Sequence, residues 1–306
     1  MFLSVILSAV ILWLIYRKLD FNSLADTLKQ IRLLPTLLFL FLFIPQLYLA
    51  SKRWNVMTRK LGGIDTNLFT SFKQVVGSYS ANLIIPGKMG EIVRIPWMKK
   101  YDLKTPVLVL VLLEKIFDLL SIFLILFVFL VIYLLVHDNP PAILLIICIA
   151  IGIGLALLGI MYRYRTQLTA WVEKRFAGYL SKKPETFIYF RLKATASLVN
   201  RKMAWYMIIS LVLWIVQGLE FYAIFMMFGL APSLVDVFAG SFLALLAGAI
   251  PVSIAGLGPR DAVIIEFFKG VAGYELLAGI GIISLFRIIV PALIGLPFFM
   301  MQTKEI

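Results

Sequence analysis

The sequence predicts an all-α polytopic integral membrane protein, with about six spanning helices and two re-entrant helical hairpins in a candidate inverted repeat. Three observations carry that expectation. Of 306 residues, 62% are hydrophobic and only 15% are charged. A soluble chain of this size carries roughly a quarter charged residues, so this one would have to expose an apolar surface throughout. The apolar residues also fall in long unbroken runs rather than the short alternating segments of a transmembrane β-barrel. The richness in aromatic and branched residues excludes disorder. A single cysteine and a single histidine leave no disulfide framework and no zinc-ligand set, and no cofactor is expected.

A spanning helix needs about 20 mostly apolar residues. Residues 2–16 form a short apolar run ending at Arg17 and Lys18. It has no basic leader and no small-residue cleavage site, so it is expected to be a retained first helix. Residues 33–50 give the second span, expected to stop at Lys52 and Arg53. Residues 106–136 and 141–162 give the third and fourth, joined by a link without Lys or Arg that suits the outer face. Residues 204–228 and 276–301 complete the set.

Two further apolar segments behave differently. Residues 68–86 are sprinkled with Ser, Thr, Gln and Asn and break at Pro86-Gly87; residues 234–251 break at Pro251 before a glycine-rich stretch. Each is followed by a short second limb, 90–98 and 259–268. Broken backbone at membrane depth survives only where protein or a watery cavity satisfies it, which predicts re-entrant hairpins. Both breaks read Ile-Pro, then glycines, then a paired acid and arginine. Paired interrupted segments in two halves point to a transporter site at the repeat interface. The chain is accordingly divided as one domain, 1–306: a first half 1–136 with hairpin 67–101, a loop 163–203, and a second half 204–306 with hairpin 234–272.

Charge sets the expected orientation. Ten of the 29 Lys and Arg lie in 163–202, against only Glu173 and Glu185. Such a loop between spans belongs on the cytoplasmic side of the cell membrane and draws anionic headgroups; with spans on both sides it is not read as a nucleic-acid patch. Charge counting leaves the N-terminus on either side.

Charges inside spans are costly and are candidates for function. Glu114 and Asp118 lie four apart on one face of the third span, and Arg287 lies 11 residues into the last one, about 16 Å along it. Internal pairing of Arg287 with Glu220 or Asp118 is one expectation for it. The hairpin limbs begin with Gly90-Glu91 and Gly258-Pro259, helix starts whose unpaired N–H groups suit phosphate. Arg94 and Arg260 are expected to add two-point contacts to phosphate oxygens, with Glu91 and Asp261 capping the helices or positioning the arginines. The expected substrate-binding set is therefore Glu91, Arg94, Glu114, Asp118, Arg260, Asp261 and Arg287. No phosphate-loop motif occurs, and the longest polar stretch, about 40 residues, is too short for a soluble glycosyltransferase domain.

The runs Gly90-Glu91-Ile92-Val93-Arg94, Leu113-Glu114-Lys115-Ile116-Phe117-Asp118 and Ala255-Gly256-Leu257-Gly258-Pro259-Arg260-Asp261, in that order, resemble the lysylphosphatidylglycerol synthase transmembrane-region family, also called the flippase-like domain family. The resemblance spans nearly the whole chain. Lys115 stands where that family more often has Arg, and Asp261 where it more often has Glu. The resemblance implies a lipid translocase that moves a phospholipid or a polyprenyl-phosphate-linked lipid between leaflets, without catalysis. Larger members add a soluble aminoacyl-transferase domain, so the expectation here is the translocating half, with a lipid-synthesis enzyme as partner. An intramembrane headgroup or glycosyl transferase with Glu114 or Asp118 as base, and a scaffold for a lipid-modifying enzyme, are the alternatives.

Overall fold

The computed structural model describes residues 28–83, 85, 90–99, 101, 103, 107–164, 167, 201–249 and 258–304. The expected first span at 2–16, both hairpin breaks, and nearly all of the basic loop lie outside the described residues. Within them the chain is helical, with no strand. The helices are α1 (Leu33–Lys60), α2 (Leu68–Ala81), a 3-10 turn (Gly90–Val93) running into the one-turn α3 (Arg94–Trp97), α4 (Val107–Val136), α5 (Ala142–Arg163), α6 (Arg201–Met227), α7 (Leu234–Ala249), α8 (Pro259–Phe268), α9 (Tyr274–Ile283) and α10 (Phe286–Lys304).

Four stretches are long and apolar enough to cross a bilayer: α1, α4, residues Ala204–Met227 of α6, and Tyr274–Lys304, which joins α9 and α10. Residues Ala142–Leu157 and α7 are shorter apolar helices. The distribution of side chains inverts that of a soluble protein. Leu37, Phe41 and Ile44 on α1, Ile146, Ile149 and Ile153 on α5, and Leu293 on α10 face outward, whereas Arg53, Arg94, Glu114, Glu220, Arg260 and Asp261 are buried. Lipid is as apolar as leucine, so burying leucine drives little; polar groups must be hidden among themselves.

Two expectations are corrected. The second span does not stop at Lys52-Arg53: α1 runs on to Lys60, because no glycine or proline intervenes before Gly62. A basic pair does not end a helix; it only has to find solvent or a partner, and Arg53 finds a partner. The last span is also not one continuous helix. The hydrogen-bond pattern tightens at Ser284–Leu285, where Leu285 N donates to the Ile282 carbonyl and Arg287 N to the Ser284 carbonyl. Arg287 therefore sits in the first turn of α10, near the middle of the Tyr274–Lys304 stretch.

The packing has a two-fold logic. The 3-10 turn and α3 fold back on α2, and α8 folds back on α7, so both predicted hairpins have their limbs side by side. The first hairpin packs on α10, the last helix of the second half, and α7 of the second hairpin packs on α4, the last helix of the first half. Helices α1 and α6 pack on each other. Exchanging the halves maps these three contacts onto one another, whereas the contact of α4 with α6 has no counterpart of like extent between α10 and α1. The α2–α10 contact is close: Ser80 Oγ donates to the Ala292 carbonyl at 2.6 Å, and a methyl at Gly295 would overlap the Val76 carbonyl. Small residues permit that approach between spanning helices.

Candidate functional site

The site is built by α1 and α4 first. Arg53 is 20 residues into α1 and enters the interior, where Nη2 donates to Glu114 Oε1 at 2.8 Å and Nη1 to Asp118 Oδ1 at 2.5 Å. Nη1 also reaches Ser210 Oγ on α6 at 2.8 Å. The four-residue spacing of Glu114 and Asp118 is what lets one guanidinium bridge both. Asp118 Oδ1 takes a further hydrogen bond from Trp214 Nε1 at 2.9 Å.

The first hairpin plugs in behind. Arg94 is fully enclosed. Its Nη1 donates to Glu114 Oε2 at 2.6 Å, its Nε and Nη2 to Ser78 Oγ at 3.1 and 2.8 Å, and its guanidinium lies 4.5 Å from the Trp54 ring centre. Glu114 thus holds one arginine on each oxygen. Next to it on α4, the partly exposed Lys115 donates to Glu91 Oε1 at 2.7 Å. Across the fold, Arg287 Nε donates to Glu220 Oε2 at 2.8 Å and Nη2 to Gln217 Oε1 at 2.9 Å, with the guanidinium 4.0 Å from the Phe221 ring centre. The pairing of Arg287 with Glu220 matches one of the two partners expected from sequence.

These groups surround one cavity of about 150 Å³, room for a few water molecules or one phosphate group. Its walls come from both halves: Gln46 and Arg53, Glu91, Glu114, Lys115 and Asp118 from the first, Trp214, Gln217 and Arg287 from the second. Among the described residues several wall atoms are buried without a hydrogen-bond partner, namely Gln46 Oε1, Arg53 Nε and Glu91 Oε2, and Glu220 Oε1 behind Arg287 is in the same condition. Unsatisfied buried polar atoms are rare, and a cluster of them around a void marks a place for water or a polar ligand.

The structure divides the seven residues expected from sequence. Glu91, Glu114, Asp118 and Arg287 line the cavity. Arg94 stands directly behind Glu114 and is not among the lining residues. Arg260 and Asp261 lie elsewhere, on α8. Asp261 Oδ1 accepts from Arg260 Nη2 at 2.7 Å and its Oδ2 from Gly258 N at 3.2 Å, while Arg260 Nη2 also donates to the Gly281 carbonyl on α9. The pair fixes the α8 start against α9, with Gly258 at φ 93°, a conformation that glycine adopts readily.

Sequence reasoning passed over Arg53, Ser78, Trp214 and Gln217. Only Arg53 carried a signal. Arg53 and Trp54 precede buried Met57 and Thr58 at helical spacing, so the apolar face continues past the basic pair. Counting charges around the cavity gives Arg53, Arg94, Lys115 and Arg287 against Glu91, Glu114, Asp118 and Glu220. Among the described residues the site is self-neutral. No group of three or more metal-ligating side chains occurs among them.

The polar interior enclosed by lipid-facing helices agrees with what comparison of the sequence finds. A family model described as the lysylphosphatidylglycerol synthase TM region matches residues 1–295, and the chain belongs to that family. Neither curated proteins nor solved structures gave a match.

Proposed function

We propose, from that membership and from the charged cavity, that this multi-pass membrane protein is a lipid translocase that carries a phosphate-bearing lipid between leaflets. The family ties the chain to membrane lipids. The observation that supports movement rather than chemistry is the cavity itself, walled by both halves of the fold and lined by unpartnered polar atoms. A headgroup phosphate would sit between Lys115 and Arg287. Arg287 Nη1 has no partner among the described residues, and Lys115 has ammonium hydrogens beyond the one given to Glu91. The tail, of a phospholipid or a polyprenyl lipid, would stay outside among the exposed leucines and isoleucines.

An enzymatic reading would need Glu114 or Asp118 as a base. Both oxygens of Glu114 are engaged by guanidinium groups, and Asp118 is engaged by Arg53 and Trp214. Those contacts favour a structural role for both carboxylates over that of a base. A lipid-synthesis enzyme that supplies the lipid is the partner this reading implies; nucleic acid has no part in it.

The test is reconstitution of the full chain with a fluorescent phospholipid, following how much of it becomes accessible to a membrane-impermeant quencher. Accessibility should exceed that of protein-free vesicles. Arg287→Gln should slow the process at least about tenfold, since a hydrogen bond to a charged group contributes about 1.5–3 kcal/mol. Rates equal to protein-free vesicles, or a chemically altered lipid, would overturn the reading. In the same proposal the basic loop 163–202 faces the cytoplasm of the cell membrane. A cysteine introduced at Ser181 should label only after permeabilisation, and labelling in intact cells would reverse the orientation.

A further inference from the structure

We propose that an anionic lipid crosses this protein together with one proton, and that Glu220 is the group that takes that proton. The inference rests on the translocase reading and adds its coupling ion.

The four cations and four carboxylates of the site already balance among the described residues, so a phosphodiester brings one negative charge with no counter-charge waiting. An unbalanced charge in an interior of low dielectric is costly, and a buried carboxylate relieves the cost by taking a proton. Glu220 is the carboxylate placed to do so. It is wholly buried, and among the described residues its Oε1 has no hydrogen-bond partner and Arg287 is the one cation that touches it. Arg287 is also a wall of the cavity. When its guanidinium turns to a phosphate oxygen, two anions share one cation. A proton from water on the entry side then forms an O–H bond at Oε1. It leaves to water on the other side as the lipid departs and Arg287 returns to Glu220.

The other acids are less suited. Glu114 and Asp118 are spanned by Arg53, and Glu91 keeps Lys115, whose three hydrogens serve a phosphate and Glu91 together. Of the helices packed on α6, α1 brings Arg53, α4 brings Glu114, Lys115 and Asp118, and α10 brings Arg287. Helices α7 and α9 carry only Asp236 and Glu275, both in their first turns. Nothing among these gives Glu220 a second cation.

The experiment uses the full chain in phosphatidylcholine vesicles containing fluorescent phosphatidylglycerol, with fluorescent phosphatidylcholine as the zwitterionic comparison. An imposed gradient of one pH unit should concentrate phosphatidylglycerol in the leaflet on the alkaline side, up to about tenfold at one proton per lipid. Phosphatidylcholine should show no such asymmetry, and an equal sodium gradient should produce none. A pH-sensitive dye inside the vesicles should register about one proton per phosphatidylglycerol moved. Glu220→Gln should abolish the response to the pH gradient; the dye count on the unaltered chain stands as the test if that variant does not fold. Phosphatidylglycerol moving equally with and without the gradient, or driven by sodium, would overturn proton coupling while leaving translocation intact. Asymmetry of phosphatidylcholine would overturn the charge-balance argument. Movement of neither lipid above protein-free vesicles would overturn the translocase reading, and the coupling with it.

Discussion

Glu114→Gln is expected to be the most damaging single substitution in the interior of this protein. Glutamine keeps the shape of the side chain but removes the charge that two buried guanidiniums share. Arg53 would retain Asp118, and Arg94 would retain only the Ser78 hydroxyl and the Trp54 ring. Removing one partner of a buried ion pair costs about 3–5 kcal/mol, because the other charge is left without compensation in a medium that cannot solvate it. Thermal unfolding of the purified protein in detergent should therefore show a large fall in midpoint. Asp118→Asn should do less harm, since that carboxylate is partly accessible and Glu114 still holds Arg53. Adding Arg94→Met to Glu114→Gln should recover much of the loss by restoring the charge count, a coupling that a double-mutant cycle measures directly. An unfolding midpoint unchanged in Glu114→Gln would remove the network from any account of stability.

The same network shows where sequence was sufficient and where it was not. A charge inside a long apolar run is conspicuous because apolar residues flank it on both sides, so Glu114, Asp118 and Arg287 stand out from the sequence alone. The interruptions of the two apolar runs were legible from proline and glycine, and the limbs that flank them lie side by side. Arg53 was hidden by its position after Leu49-Ala50-Ser51-Lys52. A basic pair at the end of a hydrophobic stretch has the same pattern whether it stays at the surface or turns inward, and Lys52 is exposed while Arg53 is buried. The interruption at Ser284–Leu285 carries neither glycine nor proline, so no local signal separates α9 from α10. The direction in which Arg94 points depends on Trp54 and Ser78, which come from two other helices.

The internal likeness of the halves extends further than the hairpin motifs. Arg53 lies 15 residues before α2 begins, and Glu220 lies 14 before α7 begins. Arg53 sits on α1 and pairs with Glu114 and Asp118 on α4, and Glu220 sits on α6 and pairs with Arg287 on α10. The sign of the pair is reversed between halves. Two like arginines on the packed pair α1 and α6 would repel across the interface, whereas the reversed arrangement lets each half close on its own counter-charge. That leaves the cavity between them neutral, with cations from both halves at its wall.

Arg94 provides the sharpest contrast between the two kinds of arginine in this fold. From sequence it is expected to grip phosphate, with loss of transport on replacement and normal folding. Its geometry predicts the opposite. The guanidinium is spent on Glu114 Oε2 and on two contacts to Ser78 Oγ, and its face covers the Trp54 ring, so the side chain clamps α2, α3, α4 and α1 together. Arg94→Ala leaves Glu114 with one arginine and opens a void against Trp54, and should cost about 3–5 kcal/mol of stability. Lysine keeps the charge but is a single point donor and cannot reach Glu114 and Ser78 in one plane, so Arg94→Lys should still lose about 1.5–3 kcal/mol. The discriminating measurement sets melting midpoint beside translocation per folded molecule. For Arg94→Lys the midpoint should fall while transport per folded molecule stays within roughly twofold, whereas Arg287→Gln should lose the transport itself. An Arg94→Lys protein that melts like the unaltered chain but no longer moves lipid would place Arg94 in contact with the headgroup, and would require the hairpin to swing open far enough to expose it.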